Sequence, residues 1–460
     1  MTTAELTPSA ALPADLLARE MRGPRYTSYP TALAFDTHFG VADWCRAARD
    51  SARGGRSLSL YVHIPFCASN CFYCGCKRVI SRSRTRIRGY LESLLHEIEM
   101  QSRLMQPSPE VLQLHLGGGT PNSLSTGELA VLLEALRSHF RFAPEARLEC
   151  SMEVDPRLAT SADIDAWREL GFNRLSFGVQ DVDAVVQTAI NRRQSSLHLA
   201  ELTAAARQAG FSSLNYDLVY GLPMQSPARF EATLDFVLAQ RPDRVAAYHY
   251  AHLPSRFPAQ RAIDEQCLPN QTQRQWLRER IHRRLCQAGY VAIGLDHYAL
   301  PGDELARAFA AGRLHRNFQG YSTLPDCELL GLGASAISRL GGCYAQNEAT
   351  EQGYRLAVDT GHYPVARGYR LTDEDRLRAA VIESIMCRGE ADFSELPSGR
   401  FAPELERLRA LDPAHTWLEC GPWGLRVSEA GRSLLRVVAM VFDAHLGRAE
   451  VPATRYSKLA

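Results

Sequence analysis

Lysine is nearly missing from this 460-residue chain: Lys77 and Lys458 are the only two, so the rest of the 52 basic residues are arginine. Compositional bias accounts for that, and its consequence is a set of planar cationic forks well suited to carboxylates. Net charge of one sign is missing too. The 52 basic and 51 acidic residues leave a formal +1, which gives no bulk-charge basis for binding nucleic acid or a membrane surface. No stretch approaches 18 uninterrupted apolar residues, so no helical membrane span is expected. The start, MTTAELTPSAALPADLLAREM, lacks the basic opening and apolar core of a secretory leader. SKL at 457–459 is followed by Ala460 and is therefore no terminal peroxisomal address. Repeats and low-complexity tracts are missing. Eight of the twelve cysteines stand singly, unlike a short secreted disulfide scaffold, and a reducing cytoplasm is the expected compartment.

What is present is an ordinary globular composition, 45% apolar and 22% charged, in a chain long enough for a large core plus a smaller domain. Residues 1–55 read as an irregular N-terminal extension containing RYTSYPTA at 25–32. From there, six strand-like runs (57–65, 111–119, 147–154, 174–180, 214–221 and 244–253) alternate with amphipathic ones (84–105, 126–140, 160–170, 196–210 and 227–239). Repeated strand–helix units imply a parallel sheet with right-handed crossovers, either an open doubly wound sheet or a partly open barrel. Residues 275–299 read as one more helix and strand. The catalytic domain is expected over 56–365, followed by a mainly helical C-terminal domain over 366–460 with a turn-rich part near WLECGPWGLRVSEAGR. In both sheet architectures function collects where strands end, and the chemically unusual strings sit there: the cysteines, GGGTP, EVDP, VQD and YGLP.

The first of these strings is CASNCFYCGC. Cys67, Cys71 and Cys74 have the spacing C-x3-C-x2-C, with Cys76 two residues on. A structural zinc site needs four ligands, usually as two separated pairs, and no second pair appears downstream. A thioredoxin-type site would use CFYC alone and leave Cys67 and Cys76 surplus. Three thiolates from one loop can hold three corners of a [4Fe–4S] cube and leave the fourth iron open to an exchangeable ligand.

This loop, with Tyr73 before the third cysteine, resembles that of radical S-adenosylmethionine enzymes. The strings RYTSYPTA, LYVHIPFC, CGC, LGGGTPN, EVDPR, RLSFGVQD, NRRQ, DLVYGLP, YAHLP, HRNFQGYST and LLGLGASAIS together resemble the oxygen-independent coproporphyrinogen III oxidases, from about residue 22 to past 440. The resemblance implies an α/β fold, a partial (β/α)6 TIM-like barrel with an N-terminal strap and a mainly helical C-terminal domain. It implies a [4Fe–4S] cluster on Cys67, Cys71 and Cys74, and two molecules of S-adenosylmethionine. Reductive cleavage of the first would yield the 5′-deoxyadenosyl radical. Contacts to the first cofactor are implied for Tyr61, Gly117, Gly118, Gly119, Glu153 and Ile337. Contacts to the second are implied for Tyr73, Gly119, Thr120, Gln180, Arg192, Asp217 and Ala251. Tyr73 stands where relatives often carry Phe, which keeps the stacking face. Cys76 matches the family's extra, non-ligating cysteine, and catalytic roles are expected for Cys76 and Tyr61. Arg25, Tyr26 and Tyr29 of the strap are expected to meet substrate.

The implied activity is a dehydrogenase that turns two propionates of coproporphyrinogen III into vinyl groups. It would be a monomer served by a flavodoxin-like or ferredoxin-like electron donor. Two alternatives are a haem chaperone or transferase of the same superfamily, which would typically lack the strap and CGC, and a structural zinc protein.

Overall fold

The computed structural model describes residues 22–324, 327–446 and 457–458. The start of the chain, read above for a leader, and the final Leu459 and Ala460 lie outside the described residues. Six strands form in the expected order: β1 (Leu58–Ile64), β2 (Glu110–Gly118), β3 (Glu149–Val154), β4 (Arg174–Gln180), β5 (Ser213–Tyr220) and β6 (Arg244–His249). Each pairs in parallel with the next. The helices between them are Arg84–Leu104, Thr126–His139, Ser161–Glu169, Ser196–Gln208 and Pro227–Gln240. Each begins at a Ser or Thr whose hydroxyl accepts from a first-turn N–H: Ser83, Ser125, Thr160, Ser195 and Ser226.

β1 shows how the sequence fixes the layers. Leu58, Leu60, Val62 and Ile64 are fully buried in the main apolar cluster, which includes Leu91, Leu94 and Ile98 of the helix Arg84–Leu104. Each such side chain contributes roughly 1.5–3 kcal/mol by its burial. The alternate residues Ser59, Tyr61 and His63 make polar contacts on the opposite face. That polar face lines the lumen of the barrel.

The barrel is open, as a partial (β/α)6 barrel. β6 does not return to β1 but pairs antiparallel with β8 (His297–Ala299), which pairs with β7 (Val291–Ile293). Two short strands thus stand where the sequence reading had one. On its other side β1 takes a seventh parallel strand, β9 (Glu328–Leu332). β10 (Ile337–Leu340), β11 (Cys343–Asn347) and β12 (Val365–Arg370) then extend the sheet antiparallel. β12 runs across the 365/366 division drawn from sequence. β6 stops at His249 instead of continuing to Leu253, because Gln260 takes over the next backbone groups. Its Oε1 accepts from Leu253 N–H (2.5 Å) and its Nε2 donates to the Ala251 carbonyl (3.1 Å).

The extension is less irregular than expected. Val41–Gly54 is a helix whose Trp44, Ala47 and Ala48 enter the main core. The C-terminal region has its own apolar cluster, on helices Asp373–Arg388, Ala402–Leu411 and Leu435–Val441. The stretch read as turn-rich is an antiparallel hairpin, Leu418–Gly421 and Gly424–Val427, completed by Glu390–Asp392. Strap residues Tyr26 and Tyr29 belong to this second cluster and tie the two ends of the chain together.

Candidate active site

The loop after β1 is pinned at its base by Phe66–Cys67 running parallel to Val79–Ile80. Arg78 holds its interior, donating to Asn70 Oδ1 (2.8 Å) and to the Cys71, Cys74 and Cys76 carbonyls. Hydrogen-bond donors face the sulfurs. Thr120 Oγ1 lies 3.3 Å from Cys67 Sγ, the Cys76 N–H lies 3.4 Å from Cys74 Sγ, and Arg157 and Arg192 reach Cys71 Sγ at 3.6 and 3.7 Å. The hydrogen bond from the Cys76 thiol, against burial and with help from Arg78 and Arg192, draws Cys74 down to about 6. The same bond, with the charge of Cys74, holds Cys76 well above its ordinary value. Burial pushes Cys67 up to about 11. Three thiols from one short loop, surrounded by donors that stabilise thiolate sulfur, form a donor set that fits an iron–sulfur cluster. Cys76 is the exposed cysteine of the four.

Tyr61 lies in the middle of β1. Its hydroxyl meets His63 Nδ1 (3.0 Å) and its ring stacks on His115 at 5.9 Å. His63 Nε2 reaches the Lys77 carbonyl (3.0 Å), so the strand clamps the far side of the cysteine loop. Glu153 accepts from the Gly118 N–H (3.1 Å) and lies 3.4 Å from His115 Nε2. Burial opposes its ionisation, but His115, the Gly118 N–H and His63 outweigh that and lower its pKa. Asp217 on β5 is bonded to Ser176 (2.9 Å) and Asn215 (2.9 Å), and burial together with the charge of Glu153 raises it to about 6. The lumen thus carries two facing carboxylates, one ionised and one poised near neutrality.

The glycine string is required by close packing within the protein itself. A Cβ on Gly118, whose φ is +109°, would lie 2.4 Å from the His63 ring, and one on Gly119 would lie 2.5 Å from the Pro65 carbonyl oxygen. These glycines let β2 close on the cysteine loop and place Thr120 against Cys67.

Arg192 is buried and already engaged. It contacts Asp155 at 3.3 Å, the Gly178 carbonyl at 2.8 Å and Cys71, while its Nε is buried without a partner. Asp155 also holds Arg157, at 2.6 Å. Burial raises the Asp155 pKa, but the two guanidinium groups outweigh it and the net shift is downward. Gln180 ends β4 with φ +64°, in the left-handed region, beside Gly178. Tyr73 packs on the apolar group of Val186, Ile190, Leu222 and Tyr250. Gln260 Nε2 binds both the Tyr73 and Ala251 carbonyls, joining the cysteine loop to the segment after β6.

Cys67, Cys71, Cys74, Cys76, Thr120 and Arg192 are therefore gathered by direct contacts, as is Glu153 with Gly118, and Tyr73 is joined to Ala251 through Gln260. Ile337, on β10, packs with Phe35 and Tyr344, and its backbone lies against Gly331 of β9, the strand neighbour of Tyr61. Tyr26 and Tyr29 were expected to meet substrate. They are buried, with hydroxyls engaged by Asp443 (2.9 Å) and the Ala444 N–H (3.0 Å). Sequence reasoning missed His63, His115, Asp155, Arg157 and Gln260. His63 shares the period-2 face of Tyr61, and Arg157 completes the quoted EVDPR.

The radical SAM superfamily profile matches residues 61–237. The oxygen-independent coproporphyrinogen III oxidase of Pseudomonas aeruginosa is 44% identical over 444 residues, covering 94% of this chain and 96% of that protein. The enzyme of the same name from Escherichia coli is 42% identical over 431 residues, covering 92% and 93%. A solved structure of coproporphyrinogen III oxidase from Escherichia coli, described as a radical SAM enzyme, matches with a TM-score of 0.87 at 40% identity. That match covers 93% of this chain and 100% of the other.

Proposed function

This chain belongs to the oxygen-independent coproporphyrinogen III oxidases of the radical SAM superfamily, and from that membership we propose a role for each group at the rim of the barrel. The reaction is oxidative decarboxylation of coproporphyrinogen III propionates. One hydrogen atom would leave the β-carbon to the radical that the cofactor supplies, and CO2 would depart with one electron passing to an external one-electron acceptor, so that a vinyl group remains. Carried out on rings A and B, this gives protoporphyrinogen IX. A [4Fe–4S] cluster and S-adenosylmethionine supply the hydrogen-abstracting chemistry when bound.

Cys67, Cys71 and Cys74 hold the cluster, and Thr120, Arg157, Arg192 and the Cys76 N–H stabilise their sulfurs. Glu153, kept ionised by His115 and Gly118 N–H, holds the ammonium of the first cofactor, with Tyr61, Gly117, Gly118, Gly119 and Ile337 around it. Asp217, Gln180, Tyr73, Gly119, Thr120, Arg192 and Ala251 serve a second S-adenosylmethionine. Cys76 stays off the iron and faces the reacting molecules. A flavodoxin-like or ferredoxin-like protein delivers the electron to a monomeric cytoplasmic enzyme. Among the described residues no helix is long and apolar enough to cross a membrane. The chaperone alternative is not favoured: the strap and CGC are both present, and the similar curated relatives carry the oxidase name.

The observation that carries this reading is the three-thiol loop with donors aimed at its sulfurs, beside an ionised Glu153 at the same strand ends. Anaerobic turnover of carboxyl-labelled coproporphyrinogen III by the reconstituted, reduced protein tests it. Release of two CO2 per macrocycle supports the oxidase, and porphyrin binding without CO2 release rejects it.

A further inference from the structure

The strand ends carry a second concentration of charge, away from the cysteine loop. β5 ends at Tyr220 and β6 at His249, and their rings lie 5.2 Å apart. Arg25 of the strap donates to the His249 carbonyl (2.8 Å), with its guanidinium 5.9 Å from the Tyr248 ring centre. Arg436 donates to the Pro24 carbonyl (3.0 Å) and to that of Gly23, which fixes the strap beside this strand end. A Cβ on Gly221 would lie 3.4 Å from His249 Nε2 and 3.6 Å from Arg274 Cδ, so helix Gln271–Gln287 brings Arg274 to the same place. Arg278 follows one turn later on the same helix face. His249 Nε2 is buried and has no hydrogen-bond partner.

Asp296 is an acid of this neighbourhood. It lies 4.0 Å from Arg25 and is engaged by His297 at 2.7 Å. Burial and the charges of Arg25, Arg274, Arg436 and Arg278 hold His249 down at about 3, so its imidazole is neutral at working pH. Burial and the charge of Arg25 bring Arg436 down to about 9. Arg25 and Arg274, beside the unpartnered His249 Nε2, set two guanidinium groups and an imidazole at one strand end, a combination of donors that suits an anion.

We propose that Arg25, Arg274, Arg278 and the His249 imidazole form a seat for a substrate carboxylate that is retained in the product. The inference rests on the coproporphyrinogen reading above. Decarboxylation discharges the reacting carboxylate, so a cationic grip on that group would stabilise reactant over transition state and slow the reaction. Cations in number suit the propionates that survive, and they anchor the macrocycle while another side arm reacts.

The test uses full-length reconstituted protein carrying Arg274→Gln and Arg278→Gln, singly and together. Arg283→Gln, exposed on the same helix, is the control. Coproporphyrin III binding is read by fluorescence, S-adenosylmethionine binding by equilibrium dialysis, and turnover by product analysis. In the double variant the porphyrin dissociation constant and the KM rise by roughly 10-fold or more. kcat stays within about threefold, since the lost contact is equal in ground and transition states. Cofactor affinity and substrate-free 5′-deoxyadenosine formation do not change, and the Lys replacements recover part of the affinity. Unchanged porphyrin affinity overturns the proposal. So does a selective loss of S-adenosylmethionine affinity, which puts a cofactor carboxylate in the seat, or a fall in kcat at constant KM, which makes the gripped carboxylate the reacting one. If the unsubstituted protein releases no CO2, the functional reading fails, and the porphyrin titration still decides the seat.

Discussion

At the floor of the barrel lumen, Glu149 accepts from Thr323 (2.6 Å) and Gln113 (3.1 Å) and lies 3.8 Å from Arg174. Arg174 also pairs with Glu304, and Arg244 with Asp303 at 2.8 Å. At the rim, a few residues further along the same strands, Glu153 faces a second carboxylate, Asp217, and its nearest cationic candidates are imidazoles. The residue types are alike; the difference is in how completely they are paired. Floor charges find partners from β2, β3, β4 and β6 and from segments that close over the lumen, so they contribute to holding the barrel shut. Rim charges are left in tension, with Asp217 raised and Gln180 at a left-handed φ. That division matches the rule that strand N-terminal ends serve stability and C-terminal ends serve chemistry.

Four substitutions sharpen the comparison. Asp155→Asn has the largest effect on folding, because it leaves Arg157 and Arg192 buried without their shared anion. We expect a loss of about 3–5 kcal/mol in denaturant unfolding together with reduced cluster loading. Glu153→Gln should lower kcat/KM by roughly 100-fold, about 2.7 kcal/mol in transition-state stabilisation, with little change in unfolding. Glu149→Gln, at the floor, should reverse that pattern, costing about 1–3 kcal/mol of stability while kcat stays near its original value. Equal effects of these two on stability and rate would erase the distinction between floor and rim.

The smallest effect is in pH dependence. The pKa of Asp217, about 6, lies above its unfolded value of about 3.9. Between those values the folded protein keeps a proton that the unfolded chain has released. This group's contribution to stability therefore falls as pH rises from about 4 to about 6. Asp217→Asn should remove that slope and leave the variant about 1–2 kcal/mol more stable at pH 7 than at pH 4, relative to the original chain. Parallel stability–pH curves for the two proteins would contradict the assignment.

Much of this was legible beforehand. The six strands and five helices stand out because alternation and helical spacing run uninterrupted through them, and the rim strings follow from where strands end. β9 escaped notice because Gly331 breaks its short apolar run. Gly331 is needed because a Cβ there would lie 2.6 Å from the Ile337 carbonyl oxygen. The packing of Tyr26 and Tyr29 was not legible because their partners, Asp443 and Ala444, lie more than 400 residues away and no local pattern reports them. The glycine string stands at the end of β2 as read, and the close approach of His63 and Pro65 to Gly118 and Gly119 adds an internal reason for it that the sequence did not show. His115 and Gln260 act through partners on other elements, which spacing along one strand cannot reveal.

The central claim is that three thiols of the four in the loop hold the cluster, leaving Cys76 beside it. The most direct measurement is iron content together with 5′-deoxyadenosine yield, on anaerobic reduction, for Cys71→Ser and Cys76→Ser prepared side by side. The account predicts that Cys76→Ser keeps its iron and still cleaves S-adenosylmethionine, whereas Cys71→Ser loses both. Loss of iron and cleavage in Cys76→Ser to the same extent as in Cys71→Ser would contradict it.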